Sequence, residues 1–170
     1  MKVYKDVFNG DELLSDSFPI KEDGICYVVE GKYVTRETVG TVDIGGASSA
    51  EDDVEDAEES PTITVLNIVD AHRLVETSYD KKSYTGHIKA YLKRLTDKLA
   101  ADGQSADQRS AWQQQAQEWV KAVLADFDSY RFFTGEQMDP EAMVVLLKLG
   151  EDGKTPFLYF IRDGLRVETY

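Results

Sequence analysis

The chain has 170 residues, of which 42% are hydrophobic and 30% charged, and its net charge is −13. This length and composition are typical of one folded domain and exclude a disordered protein. The apolar runs are too short for a membrane-spanning helix, and the first residues lack the apolar core of a secretory signal. The single cysteine, Cys26, excludes an internal disulfide and a four-cysteine zinc site. We therefore expect one domain over residues 1–170, mostly monomeric, in a reducing cytoplasm.

The negative charge is concentrated in one part of the chain. Residues 37–72 contain ten of the 32 acidic residues and none of the 19 basic ones, which leaves the rest of the chain with a net charge of −3. Neither part has the strongly basic composition that is typical of a nucleic-acid-binding surface. We therefore expect no nucleic-acid partner.

The N-terminal part of the sequence predicts β-structure. Residues 2–8 predict a strand, and Asn9-Gly10 is a strong hairpin-turn signal. Asp23-Gly24 predicts a second turn. Residues 25–30 and 32–39 are both rich in β-branched or aromatic residues and are predicted to form a hairpin with each other.

Residues 40–61 have the composition of a loop. Seven of the nine residues from 51 to 59 are acidic, so the segment repels itself and is predicted to be a long, mobile loop. Clustered carboxylates also supply the oxygen ligands that calcium accepts, although the EF-hand spacing is absent. The candidate ligands for weak calcium binding are Glu51, Asp52, Asp53, Glu55 and Asp56. The alternative is a solvated loop without a ligand, and no tightly bound cofactor is expected.

The middle of the chain predicts a strand followed by two helices. Residues 62–69 are mostly β-branched or aliphatic and predict a buried strand. Residues 80–128 predict an antiparallel helical hairpin, because apolar residues recur there at helical spacing. Asp80 is a candidate N-cap of the first helix. Ser105 and Gln108 have the spacing of a capping box that begins the second helix.

The C-terminal part returns to β-structure. Residues 131–136 predict a short strand with a turn, residues 142–149 predict a buried strand, and residues 155–162 predict another strand. Asp163-Gly164 predicts a hairpin turn into a last strand at residues 165–169. This order of strands, a helical pair and further strands predicts the α+β class.

The first predicted helix carries an excess of basic residues. Between residues 80 and 99 there are six cations and two acids, and three of the lysines align on the side opposite the apolar stripe. Such a row could bind an acidic partner, for example the acidic tail of tubulin. The candidate contact residues are Lys82, Lys89, Lys93, Arg94 and Lys98. The alternative is an ordinary solvated helix face.

The sequence contains no recognisable catalytic motif. The patterns GxSxG, HExxH and Walker A are absent. We interpret His72, His87 and Cys26 as packed side chains. Four acids near the N-terminal turn are interpreted as carboxylates that cap and solvate it: Asp6, Asp11, Glu12 and Asp16. The residues alone therefore predict an α+β interaction domain that is not an enzyme.

Four segments also match the motifs of a known family. They are the opening MKVYKDVFNGDELLSDS, the stretch IGGASSAE at residues 44–51, the stretch FDSYRFFTGEQMDPEAMVVLL at residues 127–147, and the ending DGKTPFLYFIRDGLRVE. In this order they resemble the translationally controlled tumour protein (TCTP) family, also called fortilin or histamine-releasing factor. The resemblance implies a twisted β-sheet "tent" with an inserted helical hairpin and a mobile acidic loop.

The resemblance also implies a function. Members of the family are non-enzymatic interaction proteins linked with calcium, with tubulin and microtubules, and with growth, survival and anti-apoptotic roles. Their implied location is the cytoplasm, with nuclear or non-classically secreted pools. The segment linked with tubulin and calcium matches residues 81–98.

An alternative function follows from the same resemblance. The acidic residue that the family uses in contact with a Rheb-like small GTPase matches Glu12. A related fold occurs in a zinc-binding protein that promotes nucleotide release from Rab GTPases. The resemblance therefore also implies a regulator of guanine-nucleotide exchange that acts through the turn at Glu12.

Overall fold

A computed structural model of the chain describes residues 1–37 and 62–170. The predicted acidic loop, residues 40–61, lies outside the described residues. The described strands are β1 (Lys2–Asp6), β2 (Glu12–Ser15), β3 (Ile20–Asp23), β4 (Cys26–Glu30), β5 (Tyr33–Glu37), β6 (Thr62–Leu66), β7 (Val75–Thr77), β8 (Tyr130–Thr134), β9 (Val145–Leu149), β10 (Pro156–Ile161) and β11 (Leu165–Thr169). The described α-helices are α1 (Asn67–His72), α2 (Lys81–Ala101) and α3 (Ala106–Ala125).

The strands form three antiparallel sheets, and the fold belongs to the predicted α+β class. The largest sheet has the order β3-β4-β10-β9-β8-β7, and a three-stranded sheet has the order β11-β1-β2. Strands β5 and β6 form a separate two-stranded ribbon. Helices α2 and α3 pack against each other as an antiparallel pair and cover one part of the largest sheet through residues such as Tyr84, whose ring lies 5.1 Å from that of Phe132.

Local signals in the sequence determine where the two long helices begin. The Asp80 carboxylate accepts a hydrogen bond from Ser83 N at 2.7 Å, and the Ser83 hydroxyl accepts one from Asp80 N. Ser105 and Gln108 make the same reciprocal pair at the start of α3. These contacts satisfy backbone N–H groups that a helix leaves unpaired in its first turn. Both predicted helix starts are therefore confirmed.

The predicted pairing of strands is only partly confirmed. The turns at Asn9-Gly10 and Asp23-Gly24 connect β1 with β2 and β3 with β4, as expected. The predicted hairpin of residues 25–30 with 32–39 is wrong, because β4 pairs with β3 and β10 whereas β5 pairs with β6. The chain leaves β4 at Gly31, where an added Cβ would lie 2.9 Å from the Leu66 side chain. Gly31 therefore allows close packing rather than a tight turn.

The predicted buried strand at residues 62–69 is confirmed as a strand only up to Leu66, and its predicted burial is mostly wrong. Strand β6 ends at Leu66, its first three residues are exposed, and the chain continues as α1. The Asn67 side-chain oxygen accepts hydrogen bonds from Lys32 N at 3.0 Å and from Ile68 N at 2.8 Å. The backbone N–H groups of Lys32 and Ile68 are therefore paired with a side chain instead of with a neighbouring strand. Asparagine side chains often compete with regular backbone pairing in this way.

The last two strands do not form the predicted hairpin. Residues Arg162–Gly164 form a short 3₁₀ turn that carries the chain from the largest sheet into the three-stranded sheet, where β11 pairs with β1. An added Cβ at Gly164 would collide with the Tyr91 hydroxyl, so only glycine leaves room for the helix there. A two-residue turn signal cannot specify which strand the next segment pairs with.

Two buried carboxylates connect the N-terminal hairpin to the loop between β8 and β9. Asp6 is 1% exposed, and its carboxylate accepts hydrogen bonds from Phe8 N at 2.8 Å and from Met143 N at 2.9 Å. Burial raises the pKa of Asp6 above its usual value. The Asp11 carboxylate accepts hydrogen bonds from Gln137 N and Nε2 at 3.2 and 2.8 Å. Asp6 does cap the turn through Phe8 N, but the expected solvation of Asp6 and Asp11 is wrong because both are buried, whereas Glu12 and Asp16 are exposed as expected.

The role of Asp6 gives a first prediction. Replacement Asp6→Ala leaves the N–H groups of Phe8 and Met143 without their acceptor, which is expected to lower the free energy of unfolding by about 2–3 kcal/mol. Urea unfolding measures this change. The matched control is Asp16→Ala, since Asp16 belongs to the same hairpin but is exposed, and it should change stability by less than about 0.5 kcal/mol. Equal effects of the two variants would contradict the structural role of Asp6.

The two histidines give a second prediction. His72 lies edge-on to the Phe18 ring, and His87 lies between the rings of Tyr79 and Tyr91. Burial lowers the pKa of both, and for His87 a hydrogen bond with the Pro140 carbonyl opposes the effect. The unfolded chain therefore takes up protons at a higher pH than the folded chain.

Stability should consequently fall by about 1–2 kcal/mol from about pH 7.5 to about pH 5.5. Urea unfolding at both pH values tests this expectation. The double variant His72→Gln/His87→Gln should show a smaller fall than the parent chain. A parent stability that does not change over this interval, or an equal fall in the double variant, would contradict the assignment.

Candidate functional site

The five basic candidates on α2 divide into two groups. The side chains of Lys82, Lys89 and Lys93 are exposed, and their ammonium groups form no hydrogen bond or ion pair with other described residues. We call these three residues the basic face. Arg94 and Lys98 instead make contacts within the chain.

Arg94 holds α2 against the N-terminal hairpin and the loop before β9. Its guanidinium carbon lies 4.0 Å from the centre of the Phe8 ring, which is a favourable cation–π distance. Its Nη1 donates a hydrogen bond to the Glu141 carbonyl at 3.1 Å. Lys98 Nζ lies 3.5 Å from the Asp102 carboxylate, one turn further along the helix. Of the five candidates, only the basic face is free to contact a partner without breaking such contacts.

A groove of about 450 Å³ between α2 and α3 adjoins the basic face. Lys89 and Lys93 line it, together with Asp97. The ring of Trp112 also lines the groove, is 5% exposed, and its indole N–H has no hydrogen-bond partner among the described residues. The Trp112 N–H is buried, so a partner in the groove would meet the ammonium groups of Lys89 and Lys93 beside the carboxylate of Asp97. The two ammonium groups suit carboxylate oxygens of a partner.

Glu12 lies at the start of β2, apart from the basic face. Its side chain is exposed and makes no hydrogen bond or ion pair with other described residues, whereas the following Leu13 and Leu14 are completely buried. The strand therefore holds a free carboxylate in a fixed position on the surface. His72 on α1 is close enough for the charge of Glu12 to raise its pKa, although the effect of burial is larger.

The candidate calcium ligands Glu51, Asp52, Asp53, Glu55 and Asp56 lie outside the described residues. Within residues 1–37 and 62–170, no group of three or more His, Cys, Asp or Glu side chains is arranged to hold a metal ion. None of the helices in these two ranges is sufficiently long and apolar to span a membrane.

Cys26 is a core residue, as predicted. It is 1% exposed on β4, and burial raises the pKa of its thiol to about 12. At neutral pH it is therefore a thiol and not the thiolate that acts as a nucleophile.

One surface of the largest sheet is not predicted by any pattern in the sequence. Half-buried aromatic side chains on β10, Phe157 and Tyr159, line a depression of about 860 Å³ on the largest sheet. Every residue from 156 to 161 is apolar or aromatic. The sequence therefore lacks the alternation that would distinguish the open face of this strand from its packed face.

Comparisons with known proteins give a consistent result. The family model described as translationally controlled tumour protein matches residues 1–166. A translationally controlled tumour protein homologue from Schizosaccharomyces pombe is 46% identical and covers 100% of both chains. The translationally controlled tumour protein of Mus musculus is 44% identical over 99% of both chains.

The solved structures include a similar chain. The structure of a translationally controlled tumour-associated protein from Schizosaccharomyces pombe matches with a TM-score of 0.84. The two chains are 46% identical, and the match covers 100% of each. Both sequence and fold are therefore similar to those of this family over the whole chain.

Proposed function

The chain belongs to the translationally controlled tumour protein family, and the names of the family's members describe no enzyme. We propose that it is a non-enzymatic interaction protein that binds tubulin and microtubules. The basic face of α2 is the proposed contact. The observation that supports this proposal is that Lys82, Lys89 and Lys93 are exposed on a chain whose net charge is −13, and that their ammonium groups have no partner within residues 1–37 and 62–170.

The chemistry of the proposed contact is electrostatic. A glutamate-rich tail lying across α2 would place carboxylates against the three ammonium groups. The groove between α2 and α3 offers room for backbone atoms of such a tail. Because these ion pairs form at an exposed surface, binding should weaken as salt is added.

Charge reversal of the basic face tests the proposal. The triple variant Lys82→Glu/Lys89→Glu/Lys93→Glu is expected to weaken co-sedimentation with microtubules by at least about tenfold, because three attractive pairs become repulsive. The matched control is Lys2→Glu/Lys121→Glu/Lys154→Glu, which has the same net charge and changes exposed lysines elsewhere. The proposal fails if the basic-face variant still sediments like the parent, or if both triple variants lose binding equally.

Calcium and location form a further part of the proposal. The acidic residues 51–59 support weak binding of calcium, with a Kd of about 10⁻⁴–10⁻³ M. We propose that this binding reduces the negative charge of the chain and so strengthens its association with acidic microtubules in the cytoplasm. Addition of calcium to the co-sedimentation assay tests this part of the proposal. Calcium should increase the fraction of the parent chain that sediments with microtubules.

A second candidate function is supported by the position of Glu12. An exposed carboxylate on a rigid strand can contact a switch segment or basic residue of a small GTPase without a change in the fold. Exchange factors act by binding the GTPase states with different affinities, so they need neither a nucleophile nor a metal. We propose regulation of a Rheb-like GTPase as this alternative function.

Release of a fluorescent GDP analogue from a Rheb-like GTPase tests the alternative. The parent chain should accelerate release, and Glu12→Val should remove most of the acceleration because the carboxylate is lost while β2 keeps a strand-forming residue. Asp107→Val is the control, since Asp107 is also exposed but lies at the start of α3. An unchanged release rate with stoichiometric parent chain would reject this function.

A further inference from the structure

The depression on the largest sheet has an apolar floor that the rest of the described chain does not cover. Val28 on β4 lies opposite Tyr159 on β10, and Phe157 on β10 lies between Glu30 and Lys148 of the two neighbouring strands. The side chains of Val28, Phe157 and Tyr159 are half-buried. The floor is therefore a strip of aromatic and aliphatic surface along neighbouring strands.

Carboxylates surround this floor. Five of them line the depression, from the β3–β4 hairpin on one side and from the β9–β10 turn on the other: Glu22, Asp23, Glu30, Glu151 and Asp152. Of these, Asp23, Glu30 and Glu151 are exposed and make no hydrogen bond or ion pair with other described residues. The depression also contains two cations, Lys21 and Lys148. The Lys148 ammonium lies 2.6 Å from the Asp126 carboxylate, so its charge is already paired.

The floor continues toward α3. A second depression, of about 570 Å³, shares Asp23 and Tyr159 with the first and extends to Trp119 and Glu118 of α3. The ring of Tyr130 also lines it and meets the Tyr159 ring edge to face at 6.1 Å. Aromatic faces next to carboxylates are a favourable environment for ammonium and guanidinium groups.

We propose that these two connected depressions, which we call the acidic groove, bind an extended, lysine- or arginine-bearing segment of another protein. The charge of the groove selects the occupant, because carboxylates outnumber unpaired cations and an acidic segment would be repelled. The aromatic floor accommodates the alkyl parts of lysine and arginine, whose charged ends then reach the carboxylates at the edge. Alternate side chains of an extended segment point the same way, which matches a floor with charged sides.

The acidic groove shares no residue with the basic face or with Glu12. It therefore serves a partner of opposite charge to the one proposed for α2, and its failure in a test would leave the proposed function unaffected. The two surfaces together would allow the chain to hold one acidic and one basic partner at once.

A labelled peptide of about eight residues in which lysine and leucine alternate is the probe for this groove. Fluorescence anisotropy measures its affinity for the full chain, and a peptide with glutamate in place of lysine is the control ligand. The groove variant is Asp23→Asn/Glu30→Gln/Glu151→Gln. The matched variant is Asp16→Asn/Asp107→Asn/Asp128→Asn, which changes the net charge equally at exposed positions outside the groove.

The groove variant is expected to weaken binding of the lysine peptide by about tenfold, and the matched variant by less than about twofold. Tyr159→Leu keeps an apolar floor but removes an aromatic face, and should weaken binding by about two- to fivefold. Amide chemical-shift changes should centre on Val28 and Tyr159. Equal weakening by the two charge variants, shift changes centred elsewhere, equal binding of the glutamate peptide, or no binding of the lysine peptide would each overturn the proposal.

Discussion

The buried carboxylate of Asp6 is the contact on which the arrangement of the other elements depends. By accepting a hydrogen bond from Met143 N, it fixes the loop before β9 against the N-terminal hairpin. That loop presents the Glu141 carbonyl to Arg94, which in turn fixes the long helix α2. A buried carboxylate is unfavourable unless its oxygens are hydrogen-bonded, so the loop and the hairpin must take up these positions together. The basic face of α2 is therefore positioned by an acidic residue in the first strand.

The same scaffold separates surfaces of opposite charge. The chain is acidic overall. Yet α2 presents three lysines, and the largest sheet presents a groove with carboxylates, that have no ionic partner in the part of the chain that the structure describes. Surface charges about 10 Å apart or more are largely screened at physiological salt, so local patches rather than the net charge decide which partner binds. This separation of charge suits a family whose members are not named as enzymes and for which we propose a role in binding other proteins.

Elements that depend on neighbours in the sequence could be predicted, and those that depend on remote partners could not. The starts of α2 and α3 follow from capping residues three positions apart. Strand β4 pairs with β10, and no local pattern encodes this partner more than 120 residues away. The exposure of the basic face could be predicted from helical periodicity. The contact of Arg94 with Phe8 could not, because these residues are distant in the sequence and meet only in the folded chain. The acidic groove could not be predicted, because β10 is apolar on both faces and its sequence does not show which face is exposed.

The pairing of the first strand with the last has a consequence for how the protein is made. Strand β1 lies between β2 and β11, and the amino group of Met1 donates a hydrogen bond to the Tyr170 carbonyl at 2.9 Å. A ribosome adds about 5–20 residues per second, so one edge of β1 stays unpaired for roughly 10–30 s after its synthesis. The three-stranded sheet cannot form in full before residues 165–169 have been synthesised. Until then, the edge of β1 that later pairs with β11 is open to edge-to-edge association.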